Sequence, residues 1–442
     1  MTQTLEKYDK YRADFAVFER ALPSNGASKL GELRKHAFAR FTELGFPTAT
    51  RGNEKWRFTN IGPLAAATFV YPQAAPRVTA KQLASVATYA AKGLRMVFIN
   101  GKFSAGLSDL SSATGDLTIK NLADAAHDNG KAVDSVLGSL APVEHNGFTA
   151  INTAFVRDGA FIQIKPDTEV KEPLNLVFLS TAGPEAFVAY PRVLVIAGRH
   201  SKITVIESYV SLGDGTYFTN GVGEFVAEDG AKIDHYRFLQ ESENAYHIGN
   251  TAVRLERDST FKSTSIARGA RIARNEVHLL HNAPGSASAL YGLYATNGAQ
   301  QIDNHINIDH AVPHTTSDIF FKGILDGNSR AVFSGGVLVR KDAQKTIATQ
   351  SDKNLILSSG ARINTKPSLE IFADDVKCAH GATAGAVAED ILFYAQSRGL
   401  DRETAQKILI YGFSSEIIQK IEPEAFRRHV DAIFSGGMEL HE

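Results

Sequence analysis

From about Phe148 to Asp375 the chain carries one strand-like run after another and almost nothing that reads as a helix. AFIQIK, PLNLVFLS, RVLVIAG, KITVIESY and GEFVAEDGAKIDHYRF are rich in β-branched and aromatic residues and are parted by Gly, Asp, Asn and Ser. Strands that succeed one another without crossover helices leave few architectures: a closed barrel, two sheets face to face, or a stack of coils. Polar-glycine corners recur at Gly198, Gly230, Asp258 and Gly285, roughly thirty residues apart. A sandwich would show tight Asn-Gly or Asp-Gly hairpins, whereas this looser recurrence suits stacked strand–corner–strand coils. On pattern alone, a β-solenoid and a sandwich or barrel both remain open.

The flanks read differently. In SKLGELRKHAFARFTELGFP, Leu30, Leu33, Ala37, Phe41 and Leu44 recur at three- and four-residue steps, which predicts a helix with one buried stripe. Gly45 is placed to cap it in a left-handed conformation, and Pro47 to prevent its continuation. Further helical patches are expected around Ala80–Ala91 and Leu122–Leu140, with a short strand pair at Met96–Phe103 between them. Trp56, the only tryptophan, reads best as a loop anchor on the core. The tail is helical again: EDILFYAQSRGL ends on Arg398 and Gly399, Asp401 can cap the next helix, and Pro423 can open a last one. The expected division is a mostly helical region 1–147, a β core 148–375 and a helical region 376–442.

With 47 basic and 48 acidic residues there is no electrostatic drive toward nucleic acid or anionic membrane. No apolar run approaches the ~18 residues that span a bilayer. MTQTLEKYDKYRADF lacks the features of a signal peptide, and one cysteine cannot form an intrachain disulfide. These features lead to the expectation of a cytoplasmic protein.

The chemistry concentrates in KPSLEIFADDVKCAHGATAG, Lys366 to Gly385. Read as an extended strand, ADDVKCAHG places Asp374, Val376, Cys378 and His380 on one face and Asp375, Lys377 and Ala379 on the other. A thiolate and an imidazole together suit zinc, iron or an iron–sulfur cluster. Two ligands are too few to hold such a centre, so either another subunit completes the shell or Cys378 is a small buried hydrophobe and His380 a satisfied histidine. Asp374 and Glu370 are candidate supporting carboxylates. A Cys–His hydrolase is disfavoured, because its nucleophile and base normally meet through the fold. His305, His310 and His314 do not fall on one face of a regular element and read as a polar turn region or a subunit contact. No GxxxxGK[ST] segment is present to cradle a nucleotide phosphate. A β-helix enzyme acting on polysaccharide is the alternative from another class, but no compelling carboxylate pair supports it.

The run from Gln350 to Tyr394, QSDKNLILSSGARINTKPSLEIFADDVKCAHGATAGAVAEDILFY, resembles the signature of the SufB/SufD family of iron–sulfur cluster assembly proteins. HAVPHTTSD and FSGGVLVRKDAQKT, within His310–Gln350, fit it too, as does GFPTATRGNEKWRFTNI, Gly45 to Ile61. Within that family the single cysteine and the tryptophan segment resemble the SufD branch, since SufB members are usually longer and carry several cysteines. Arg57-Phe58 stands where Lys-Tyr is frequent after the tryptophan. The resemblance implies a mainly β protein, a right-handed parallel β-helix (solenoid) between N- and C-terminal α-helical domains. It implies a complex in which a SufB-like paralogue pairs through the β-helices and a SufC-like ABC ATPase docks on the C-terminal helices. His380 would then be tied to cluster assembly through iron uptake, with Cys378 beside it at the paralogue interface. No cofactor would be held stably by this chain alone. Iron or a nascent cluster would pass through transiently, and a reduced flavin belongs to the whole complex. A homodimer of the isolated chain is a further arrangement that the family allows.

Overall fold

The computed structural model describes residues 2–22, 29–47, 53–72, 74–183 and 185–435. Its centre is a parallel β-solenoid of about eight turns. Strands alternate between two ten-stranded sheets from Lys202–Leu212 to Lys377–Ala386, and each of these pairs in parallel with the strand one full turn away. From Lys202 onward most strands are ten residues long, for example Lys232–Glu241, Thr260–Gly269, Ala287–Thr296 and Thr316–Leu325 in the front sheet. The back sheet repeats the pattern with Tyr246–Leu255, Ile272–His281, Gln301–His310 and Arg330–Val339.

One corner explains the recurrence in the sequence. His200, Gly230, Asp258, Gly285, His314 and Lys345 all adopt positive φ, with values between 55° and 80°. Their N–H groups form a ladder across turns: His200 donates to Asp229 O, Gly230 to Arg257 O, His314 to Gln344 O and Lys345 to Asp375 O. Glycine accepts this conformation without strain, and Asp or His tolerates it better than most residues. The corner ladder stacks the coils in register.

The alternation along each strand sends one set of side chains inward. Val205, Ile233, Phe261, Leu290, Ile319 and Phe321 belong to this continuous interior core. The outward faces are covered at both ends of the chain. Over the back sheet lie the helices Thr2–Arg20, Lys29–Leu44 and Gly147–Ala154, with Trp56, Phe148 and Phe155 in their shared core. Over the front sheet the helices Arg402–Ile418 and Glu424–Ser435 fold back and meet the N-terminal segment, where Tyr89 packs edge-on against Phe426 with ring centroids 5.1 Å apart.

Gly45 caps its helix at φ 63°, and Asp401 accepts from Thr404 N at 2.9 Å at the start of its own helix. Ala37 and Phe41 are buried as the stripe requires, but Leu44 at its end is exposed. The patch Leu122–Leu140 is two short helices, Leu122–Asp128 and Gly130–Val136, interrupted at Asn129. The strand pair falls at Arg95–Ile99 and Lys102–Phe103, and it does more than form a hairpin. Arg95–Ile99 also pairs in parallel with Leu174–Thr181, and Leu117–Asn121 pairs antiparallel with Ala160–Ile164, so the N-terminal region supplies strands to both sheets.

Both expected boundaries of the β core shift. The residues after 147 open not a strand but the helix Gly147–Ala154, whose N-terminal N–H groups at Phe148 and Thr149 are capped by the Asn146 side chain. At the far end the solenoid runs past 375, because Lys377–Ala386 forms the last front-sheet strand, in register with Ile347–Ile356. Residues 48–52 of the Gly45–Ile61 segment and 436–442 of the tail lie outside the described residues.

Candidate functional site

The first coil is covered by the N-terminal strands, but among the described residues no strand covers the last. Arg362–Ile371 ends the back sheet and Lys377–Ala386 ends the front sheet, each with one unpaired edge. Cys378 and His380 lie on that final strand, opposite Ala348 and Gln350. Ala348 and Gln350 are buried and point into the coil, at 0 % and 3 % exposed, so Cys378 and His380 share the inward face at the open end. Cys378 is half-buried against the interior core with Val376, whereas His380 is exposed.

Burial pushes the Cys378 thiol up, and a backbone hydrogen bond at Ala348 only partly offsets it. A thiol held protonated is a poor free nucleophile and becomes a metal ligand by losing its proton to the incoming cation. The His380 ring has no hydrogen bond or ion pair among the described residues. No group of three His, Cys, Asp or Glu side chains among them is arranged to hold a metal ion. The pair can therefore offer sulfur and nitrogen to a cation but cannot enclose it.

The two carboxylates expected to support the pair stand elsewhere. Asp374 is exposed in the bend before the strand, which begins only at Lys377, so it is not part of the extended face. Asp375 beside it forms an ion pair with Lys345 and continues the corner ladder. Glu370 alternates with Leu369 and Ile371 and lies on the outward face of the back sheet. There it lines a groove of about 540 Å³ with Asp309, Arg340 and His278. A sheet separates it from His380. The three grouped histidines are likewise dispersed. His305 faces outward and pairs with Asp303 at 3.1 Å, His310 points inward and stacks on His281 with centroids 4.4 Å apart, and His314 occupies the positive-φ corner.

The interior holds polar groups that the sequence reading passed over. Glu207 accepts from Tyr209 at 2.6 Å and faces His235 at 3.2 Å, while Glu241 meets His247 at 2.7 Å. Nearer the open end, Gln350, Asp352 and Asn354 are all buried in the rung below His380. Their spacing of two residues was a visible signal. Alternating polar residues in a strand ordinarily face solvent, however, and only the solenoid turns this set inward.

Fold and site together define a parallel β-solenoid protein that presents a thiol and an imidazole side by side on the last rung of its coil. The chain belongs to the SufBD family of iron–sulfur cluster assembly proteins. Residues 178–413 match the SUF system FeS cluster assembly SufBD core domain, and residues 5–176 match the SufBD protein N-terminal region. It is 34 % identical over 379 residues to an iron–sulfur cluster assembly SufBD family protein of Synechocystis, covering 84 % of this chain and 83 % of the relative. To the iron–sulfur cluster assembly protein SufD of Escherichia coli it is 26 % identical over 409 residues, 92 % of each chain. A SufBD family protein of Mycobacterium tuberculosis is 28 % identical over 309 residues, 68 % of this chain and 75 % of the relative. Among the described residues no helix is long and apolar enough to cross a membrane.

Proposed function

We propose that this chain is the SufD-type, non-catalytic subunit of a cytoplasmic assembly complex, paired with a SufB-like paralogue and an ABC-type ATPase of the SufC kind. The observation that carries this reading is the half-site itself. Cys378 and His380 stand side by side on the last rung, facing an uncovered end where a second chain can supply what is missing. Ile347, Ile371 and Phe372 are exposed around that end at 44 %, 38 % and 64 %, which suits a face buried in a complex. Ile391, Phe393 and Tyr394 on the helix Glu389–Ser397 are exposed too and offer the ATPase a separate apolar surface. Iron, the cargo in this reading, is first met by the exposed His380, and Cys378 joins once its proton is displaced. No residue is assigned to the flavin.

The test is to purify the chain with both partners and compare variants. His380→Ala should leave the complex intact and lower its iron and cluster content, while Cys378→Ala should do less. Unchanged cluster formation by His380→Ala would sink the role of that residue. Failure of the wild-type chain to co-purify with either partner would remove the subunit assignment.

A further inference from the structure

Among the described residues, nearly every buried carboxylate faces an arginine or a histidine. Glu224 is paired with Arg192, Glu207 with His235, Glu241 with His247, and Glu276 and Asp303 with Arg274. Asp352 breaks the pattern. It is 0 % exposed, and among the described residues no Lys, Arg or His is paired with it. Its Oδ2 accepts from Asn354 Nδ2 at 2.7 Å, and the Thr365 hydroxyl stands against the carboxyl. These neutral neighbours do not replace a counter-charge, and burial pushes the carboxyl up to about 6. Keeping such a group inside a core is costly and calls for a reason.

Its place supplies one. Asp352 lies in register with Ala382 on the last rung, two residues along from Gln350, which lies in register with His380. Gln350 Oε1 is buried without a hydrogen-bond partner in the same rung. Two glycines make room for this layer: a Cβ on Gly335 would collide with the Gln350 amide, and one on Gly323 with Asn354. Beneath it the interior turns apolar, with Ile319 and Phe321 opposite Gln350 and Asp352. Above it, beyond His380, the inward positions of the last rung are only Ala382, Ala384 and Ala386. The arrangement is a shallow polar floor with one uncompensated negative charge, roofed by methyl groups and bordered by His380.

We infer that Asp352 is the interior carboxylate of the Cys378–His380 site, where its charge draws a divalent cation past His380 and balances it at the open end of the coil. This rests on the reading of His380 as the residue that meets iron. Asp352 acts here as a positioning residue, because its side chain is not clustered with His380 and Cys378 in a preformed cage. Gln350, whose Oε1 is a buried neutral acceptor, lies in register with His380 and two residues from Asp352.

The experiment uses the full-length chain assembled with its two partners and Co²⁺ as a spectroscopic probe for ferrous iron. Asp352→Asn keeps the shape and removes the charge. It should assemble normally, weaken Co²⁺ binding roughly 10- to 100-fold, and abolish the rise in melting temperature that Co²⁺ gives the wild type. A purely structural Asp352 would instead leave Co²⁺ affinity at the wild-type value, which overturns the inference. If His380→Ala weakens Co²⁺ binding and Asp352→Asn does not, only this inference fails. If His380→Ala also binds Co²⁺ like the wild type, the reading of the half-site fails first. A wild-type measurement covers the case in which Asp352→Asn does not assemble. At about pH 5, above the ordinary aspartate range, the infrared carbonyl band of a protonated, buried acid should disappear on Co²⁺ addition. Its persistence would overturn the inference as well.

Discussion

The indole of Trp56 stands over the guanidinium of Arg274, with Cζ 3.8 Å from the ring centroid. Arg274 is itself 1 % exposed and is ion-paired with Asp303 and Glu276 on the outward face of the back sheet. Trp56 thus clamps the segment that follows the helix Lys29–Leu44 onto a buried charge cluster, and Thr59 adds a hydrogen bond to Asp303. Trp56→Ala should cost about 3–5 kcal/mol, through the lost volume and the water admitted to the cluster. Trp56→Phe, which keeps a ring face, should cost less. Urea unfolding of the two variants checks the order; equal midpoints would show that the ring face contributes nothing beyond its bulk.

Arg192 and Glu224 form an ion pair in which both side chains are 0 % exposed. Glu224 also accepts the N–H groups of Gly138, Leu140 and Ala141, so it holds the turn after the helix Gly130–Val136 against the back sheet. Glu224→Ala strands the arginine and three backbone donors and should destabilise by roughly 3–5 kcal/mol or more. Arg192→Met with Glu224 retained strands the carboxylate instead. A double variant with apolar residues at both positions should recover part of the loss, and thermal unfolding decides it.

The stacked imidazoles of His281 and His310 predict a pH dependence. Each ring is bracketed by two hydroxyls, Ser286 and Ser288 for His281, Thr315 and Ser317 for His310. Burial lowers both, His310 to about 4, and His310 lowers His281 further. Between pH 6.5 and pH 4 the unfolded chain therefore binds more protons at His310 than the folded one. Stability is fully present above 6.5 and is lost as pH falls through this window. Glu207, lowered to about 2 despite burial by its hydrogen bond and charge contact with His235, adds a second loss between 4.5 and 2. Urea midpoints measured from pH 7 downward should show the first decline, and His310→Gln should flatten it.

Lys322 ties the C-terminal helices to the solenoid. Its side chain is 5 % exposed, donates to Phe413 O at 2.8 Å, pairs with Glu416 at 2.5 Å and lies 4.3 Å from the Phe413 ring centroid. Lys322→Ala should loosen Arg402–Ile418 while leaving the β core intact. Hydrogen exchange should then speed up in that helix alone, and uniform acceleration over the front sheet would show that the lysine supports the sheet itself.

How far the sequence could be read varies with the physical range of the signal. Helix Lys29–Leu44, its Gly45 cap and the Asp401 cap depend on neighbours within one turn, and their residues announce them. Gly147–Ala154 was hidden because all eight of its residues are buried, which erases the apolar–polar period. The strand Lys377–Ala386 was legible only in its first half: ADDVKCAHG reads as extended, but ATAGA beyond it has little β propensity and is held by pairing with Ile347–Ile356.

The sequence by itself determined the β-rich middle, the recurrent corner and the proximity of Cys378 to His380, because each is written in adjacent residues. Only the tertiary structure decided which way those side chains point. The parity of a strand puts Cys378 and His380 on one side, but coiling makes that side the interior, sends Glu370 to the outer surface and leaves Asp374 in a bend. It also brings Gln350 beneath His380 and Asp352 beneath Ala382, from one turn earlier in the chain. A coil converts distance along the chain into contact between rungs, and no local pattern records that contact.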